Sequence, residues 1–265
     1  MDNRPIGMFD SGVGGLTVLK EVIKQNPNED IVYLGDTKRF PYGSKSKETI
    51  IELTKNGIEF LIQKNVKAII IACGTATSQA LESLKGKYNI PIIGIIDSTV
   101  DYIKENKNLR NIGIIATAGT IRSNGWQNKI NEKIQDVKLQ ARACPLLAPM
   151  AEEGWTENDI AKLTIHEYLK EFENIDCLIL GCTHYPLFKN VISQELDEKV
   201  EIINTGELLS IDLRKELENN KNVNDINNTG KYEIYLTDTE TNFINVAKKL
   251  LRDEDISSKI KKIEL

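Results

Sequence analysis

Four cysteines lie in the sequence, at positions 73, 144, 177 and 182, and two of them stand where chemistry is possible. Cys73 closes the apolar run Val66–Ala72 and opens the segment Cys73-Gly74-Thr75-Ala76-Thr77. Ligands of open α/β sheets bind beyond the carboxyl ends of strands, and a cysteine beside a helix start sits where the thiolate is favoured. Cys182 repeats that placement after the run Cys177–Leu180, and in Cys182-Thr183-His184-Tyr185-Pro186 an imidazole lies two residues away. Taken singly, each thiol reads as a small buried hydrophobe, the ordinary fate of a free cysteine. Cys144 and Cys177, which have no such surroundings, are expected to be only that.

Taken together, Cys73 and Cys182 suit a reaction that removes a proton from one face of a carbon and returns one to the other. Such a reaction needs two opposed acid/base groups, one ionised while the other is protonated. A free thiol titrates near about 8.5, within reach of neutral pH once neighbours lower it. A Cys–His nucleophile is the alternative for Cys182, but it leaves Cys73 unexplained. A Cys-x-His without a second ligand pair argues against zinc, and cysteines 109 positions apart with no C-x-x-C argue against a thiol redox site. The chemistry requires free thiols, hence a reducing compartment. His166, the other histidine, lies in a polar helical stretch and is expected to be incidental.

A third motif is Asp10-Ser11-Gly12-Val13-Gly14-Gly15, between a predicted strand and a predicted helix. Its glycines allow close backbone approach, and its N–H groups are offered to an anion. It lacks the Lys-Ser/Thr of a P-loop and the spacing of G-x-G-x-x-G, which disfavours a nucleotide; a carboxylate suits it as well. The alternative is a tight turn capped by Asp10 or Ser11.

The elements that must position these groups are strands alternating with helices. Apolar runs predict strands at Pro5–Phe9, Ile31–Leu34, Ala68–Ala72, Pro91–Ile96, Ile112–Ala116, Cys177–Leu180, Val200–Ile203 and Tyr232–Leu236. Between them, Leu16, Leu19, Val22 and Ile23 share one helical face, and Ile50, Ile51, Ile58, Leu61 and Ile62 another, with Asn56-Gly57 expected to interrupt the second. The alternation implies α/β architecture with parallel sheets under helices.

A weak internal repeat divides the chain. Ile6–Gly12 echoes Ile112–Ala118, and Lys67–Cys73 echoes Asp176–Cys182; Gly7 precedes Cys73 by 66 positions and Gly113 precedes Cys182 by 69. Two pseudo-symmetric lobes are expected, residues 1–97 with 208–265 and residues 98–207, each with a mainly parallel sheet and the site between them. Asn219–Gly230, with six asparagines, reads as an exposed loop.

The 265 residues are 40% hydrophobic and 28% charged, with a net charge of −5 and no basic stripe, which argues against a nucleic-acid partner. The N-terminal segment has no signal-like apolar region, and the longest apolar runs are too short to span a bilayer, so a cytoplasmic protein with no membrane partner is expected.

Across nearly the whole chain, DSGVGG, GDT…PYG, AC-x-T and GCTHYP, in this order, resemble the glutamate racemases of the aspartate/glutamate racemase superfamily. The resemblance implies two α/β lobes, no pyridoxal phosphate and no metal, with glutamate as substrate, D-glutamate made for peptidoglycan, and a homodimer. Aspartate or another acid as substrate, or a non-catalytic binding module, are the alternatives. It implies Cys73 as the base acting on D-glutamate and Cys182 as the base acting on L-glutamate, with Asp10 assisting Cys73 and His184 and Glu152 assisting Cys182. It further implies that Asp10, Ser11, Tyr42, Gly43, Gly74, Thr75, Thr183 and His184, with Thr117 and Thr120, hold the substrate. Two departures stand out: Gly74 replaces the family's usual asparagine, removing an amide from the Cys73 side, and Asn204-Thr205 replaces a common Asp-Ser pair.

Overall fold

The computed structural model spans Met1–Leu265 and describes every residue except Ile226, Asn228 and Glu240, with Thr241 described in its backbone alone. In chain order the elements are β1 (Ile6–Asp10), α1 (Gly15–Gln25), β2 (Ile31–Gly35), α2 (Lys47–Gln63), β3 (Ala68–Ile71), α3 (Gly74–Leu84), β4 (Ile92–Gly94) and α4 (Ile95–Glu105). There follow β5 (Asn111–Ala116), α5 (Ala118–Ser123), α6 (Gly125–Lys133), β6 (Lys138–Ala143), α7 (Leu147–Glu152), α8 (Asp159–Leu169), β7 (Cys177–Leu180), α9 (Lys189–Glu195) and β8 (Glu201–Ile203). The chain ends with α10 (Thr205–Asn219), β9 (Tyr232–Leu236), α11 (Thr241–Leu251) and β10 (Ile260–Lys262).

The strands form two sheets, β10-β9-β2-β1-β3-β4 and β6-β5-β7-β8, parallel throughout. Parallel strands are covered on both faces, which is why β1, β2, β3 and β7 are apolar runs buried along their whole length. The order β2-β1-β3-β4 recurs as β6-β5-β7-β8, so the weak repeat has a topological counterpart. Phe9 pairs with Ile71 in one sheet and Ile115 with Leu180 in the other, which brings Asp10 beside Cys73 and Ala116 beside the strand that leads to Cys182. The terminal segment returns to the first sheet: β9 pairs with β2, and α10 packs on α1 and α4.

Four sequence expectations need correction. The strand predicted to run to Ile96 stops at Gly94, and Ile95 and Ile96 are the buried start of α4; a short apolar run reads alike for strand and helix. Strands β6 and β10 were not anticipated, because as edge strands they carry mostly polar or half-exposed residues such as Lys138, Gln140 and Arg142. Asn56-Gly57 does not interrupt α2: a Cβ on Gly57 would meet the Phe9 ring at 2.5 Å, so the glycine lets helix and sheet approach. Finally, the asparagine-rich segment, part of which lies outside the described residues, is not all exposed. Asn224 is buried and its N–H donates to Glu29 Oε1 (2.8 Å), while Glu29 Oε2 pairs with Lys67 Nζ at 2.5 Å, both side chains fully buried. Asn204 caps α10 by accepting from Gly206 N–H, and the Thr205 hydroxyl donates to Leu180 O, so that departure carries a structural role. No helix among the described residues is long and apolar enough to cross a membrane.

Candidate active site

The carboxyl ends of the two sheets face each other across a cavity of about 270 Å³. Both Cys73 and Cys182 line it, although each is only about 5–6% exposed. All four cysteines are free thiols. Burial pushes Cys144 and Cys177 up to about 12, consistent with packing residues that stay protonated. His166 lies at the surface, its Nδ1 2.6 Å from Glu195.

On the first side, Cys73 ends the β3 segment and precedes α3, with its Sγ 3.4 Å from the Ser11 hydroxyl. Burial and the nearby Asp10 charge push its thiol up to about 12, against the pull of the Ser11 hydroxyl and the Ala76 N–H. The expectation that neighbours lower both thiols therefore fails here: a helix start lowers a thiol only if the site is wet or cationic, and Cys73 is dry with a carboxylate behind it. Asp10 itself is fully buried, and burial pushes its carboxyl up to about 6, opposed by His184 and by its hydrogen bonds.

The glycine loop already holds anions of its own. Asp10 Oδ1 accepts from Gly12 N–H (2.9 Å) and Gly15 N–H (3.1 Å), and Glu152 Oε1 accepts from Val13 N–H (3.1 Å). These three donors are thus engaged by protein carboxylates rather than offered to a substrate.

On the second side, His184 Nδ1 lies 3.7 Å from Cys182 Sγ, and its Nε2 lies 2.6 Å from Glu152 Oε1. Burial opposes charge on this ring, but Cys182 and Glu152 more than offset it and hold the imidazole well above its ordinary range. Phe40 covers the ring at a centroid distance of 5.4 Å. An imidazolium so placed can balance charge on the adjacent sulfur. The two sides are tied together directly: the Thr183 hydroxyl donates to Asp10 Oδ2 (3.2 Å), and the Thr17 hydroxyl donates to Thr183 O (2.8 Å).

Among the described residues, Ser11, Tyr42, Gly43, Gly74, Thr75, Thr117, Thr183 and His184 line the cavity with the two thiols, whereas Asp10, Thr120 and Glu152 stand behind the lining. The Thr75, Thr117 and Thr120 hydroxyls form a triangle across the lobes at 2.9–3.2 Å. Tyr42 presents a hydroxyl that is already committed, since it donates to Asp36 Oδ2 at 2.5 Å. Gly74 sits where the lobes meet: a Cβ there would lie 2.2 Å from the Gly181 carbonyl oxygen. The missing amide thus goes with a close backbone contact beside both cysteines.

Sequence reasoning missed Asp36, whose buried carboxylate accepts from Tyr42, Arg39 and Thr237, fastening the cavity-lining turn to the returning C-terminal segment. Its signal was the GDT that precedes PYG. Arg122 of α5, a cavity-lining cation, was also missed; a lone arginine on a short helix gives no periodic signal. Among the described residues, no group of three or more His, Cys, Asp or Glu side chains is arranged to hold a metal.

Known proteins resemble this chain in sequence and fold. The family model for Asp/Glu/hydantoin racemases matches residues 12–209. A glutamate racemase from Sulfurihydrogenibium sp. is 43% identical over 98% of this chain and 97% of its own length, and one from Geobacter metallireducens is 39% identical over 94% and 93%. The crystal structure of glutamate racemase from Francisella tularensis in complex with D-glutamate superposes with a TM-score of 0.91 at 39% identity, covering 100% of this chain and 98% of that one. The RacE1 glutamate racemase isoform of Bacillus anthracis superposes with a TM-score of 0.94 at 35% identity, covering 100% and 99%. Sequence and fold place this chain in the Asp/Glu/hydantoin racemase family.

Proposed function

We propose that this chain interconverts L- and D-glutamate by proton transfer at Cα between Cys73 and Cys182. The observation that carries this reading is one cavity lined by two thiols from corresponding strand ends of two sheets. A thiolate on one face takes the Cα proton, the C–H electron pair delocalises into the α-carboxylate, and the opposite thiol returns a proton to the other face. The number of protons is unchanged, and the two sulfurs exchange states. Cys182 is the base toward L-glutamate, beside the His184 cation that Glu152 holds in place; Cys73 is then the acid, a role that suits a thiol titrating near 12. In the reverse direction Cys73 is the base toward D-glutamate. Asp10 acts at one remove, through the loop that bears Ser11 and through Thr183. Ser11, Thr75, Thr117 and Thr183 supply hydroxyls, and Gly43 and Gly74 backbone groups, to the substrate's charged ends, with Tyr42 and Thr120 bracing them.

The lobes act as units 1–97 with 208–265 and 98–207, closing on substrate from both sides. D-glutamate made in a reducing cytoplasm would feed peptidoglycan synthesis. A homodimer is supported by the α7–α8 hairpin, where Leu146, Trp155, Ile160 and Leu163 are exposed. Light scattering of wild type and of Leu163→Glu tests this; a dimer lost in the variant is expected, and a monomeric wild type contradicts it.

Turnover of L-glutamate and L-aspartate without added cofactor, followed by circular dichroism, tests the function. Racemisation of glutamate well above aspartate is expected. No turnover of glutamate by pure reduced protein, or an aldimine absorption band in active protein, refutes the reading.

A further inference from the structure

Beside the thiol cavity, between the same two lobes, lies a second cavity of about 410 Å³. Its walls include Lys45 and Lys47, which lead into and open α2, Ser78 and Gln79 of α3, and Arg122 and Ser123 of α5. Among the described residues it is lined by three cationic side chains and no acidic one. Arg122 belongs to both cavities, and it is the one arginine or lysine among the described residues lining the thiol cavity, where the other charged group is the His184 ring. Its guanidinium Nη2 lies 3.5 Å from the carbonyl oxygen of Gly43, on the boundary between them.

These three cations stand apart from many of the others. Nearby, Lys85, Lys129 and Lys133 all pair with Asp97. Lys45, Lys47 and Arg122 make no ion pair among the described residues, and they crowd one mouth of a protein whose net charge is −5. The acid adjacent in sequence, Glu48, is held by its own backbone N–H and the Ser46 hydroxyl and feels the Lys47 charge, but it is exposed and not part of the wall. Like charges left unpaired around a concave opening raise the local potential and concentrate anions there.

We propose that this second cavity is an entry vestibule for a small dicarboxylate, the substrate itself, which Arg122 passes into the thiol cavity. The inference rests on the racemase reading, since an acidic amino acid at neutral pH carries two carboxylates against one ammonium. Exposed, hydrated lysines contribute through field rather than fixed contacts, so the effect falls on affinity and is screened by salt.

The test uses glutarate, a dicarboxylate that cannot racemise, titrated calorimetrically into the full chain and into the Lys45→Gln/Lys47→Gln and Arg122→Gln variants. The measurements are made at about 20 mM and about 500 mM salt, where the screening length falls several-fold. Lys47 and Arg122 are exposed and Lys45 is half-buried, and matched thermal melts check the fold. The expected result is a dissociation constant about fivefold weaker in the double variant at low salt, a further weakening in Arg122→Gln, and a double-variant difference that closes at high salt. A parallel rise in KM for L-glutamate, larger than any change in kcat, is also expected. Equal affinity of the double variant and wild type at low salt, a difference indifferent to salt, or no binding of glutarate to wild type overturns the vestibule. Wild type that binds glutarate with the expected salt dependence yet does not turn over glutamate leaves the vestibule standing and refutes the racemase reading instead.

Discussion

The two thiol sides of the cavity occupy corresponding strand ends yet sit in opposite electrostatic surroundings. Cys73 has a hydroxyl at its sulfur and the Asp10 carboxylate behind it, and its thiol is held near 12. Cys182 has the His184 ring beside it, itself gripped by Glu152. The repeated strand order therefore supplies two matched thiol positions, while a few unmatched side chains give each sulfur different surroundings. The sides are also mechanically joined, because Thr183 next to Cys182 donates to Asp10, and Gly74 next to Cys73 abuts Gly181.

The sharpest way to break this asymmetry is to remove its cation. His184→Gln should lower racemisation by roughly a hundredfold to ten-thousandfold, the usual range for losing an acid/base helper. The Cys73 half remains, so solvent deuterium should still enter Cα of D-glutamate in the variant, as NMR would show. Wild-type turnover would mean that the imidazole does not serve Cys182.

Asp10 distinguishes a functional charge from a stabilising one. Its carboxyl titrates near 6 when folded and near 3.8 when free, so folding disfavours its ionisation. Below about pH 4 both states hold the proton and no cost arises; the cost grows between about 4 and 6 and is complete above 6, at about 3 kcal/mol. Asp10→Asn keeps acceptors for Gly12 and Gly15, so it should be more stable than wild type at pH 7.5 by about that amount, with no such gain at pH 3.5, while losing activity. Urea denaturation at the two pH values measures this, and a variant less stable at pH 7.5 would show the charge to be stabilising.

Gly74→Ala tests the mechanical join. With its Cβ 2.2 Å from a backbone oxygen, the lobes or the α3 start must shift, and about a tenfold loss of kcat with about 1–3 kcal/mol of destabilisation is expected. Unchanged kinetics and melting would show the contact to be freely adjustable. The smallest effect should come from the other thiols: Cys177→Ala should cost about 1 kcal/mol of stability and leave racemisation within about twofold, measured by melting and turnover.

Much of the framework was legible because both sheets are parallel and buried, so β1, β3, β5 and β7 are continuous apolar runs. The edge strands β6 and β10 were not, since edges need no apolar run, and Gly57 looked like a breaker because the Phe9 ring that fills its space comes from 48 positions away. At the site, residue types and order pointed to Cys73, Cys182 and His184. What pattern cannot carry is who takes whose hydrogen bond: that Asp10 and Glu152 occupy the glycine loop, that Tyr42 answers to Asp36, and that burial raises Cys73 all depend on packing between segments far apart in the chain.

The central claim is that two thiols act on opposite faces of one carbon. It is tested most directly by incubating each enantiomer of glutamate in D₂O with wild type, Cys73→Ser and Cys182→Ser, and following Cα deuterium and optical rotation together. The account predicts that wild type racemises with deuterium incorporated into product, that neither variant racemises, and that Cys73→Ser exchanges Cα of L-glutamate alone while Cys182→Ser exchanges D-glutamate alone. Near wild-type racemisation by either variant, or exchange of the same enantiomer by both, would contradict it.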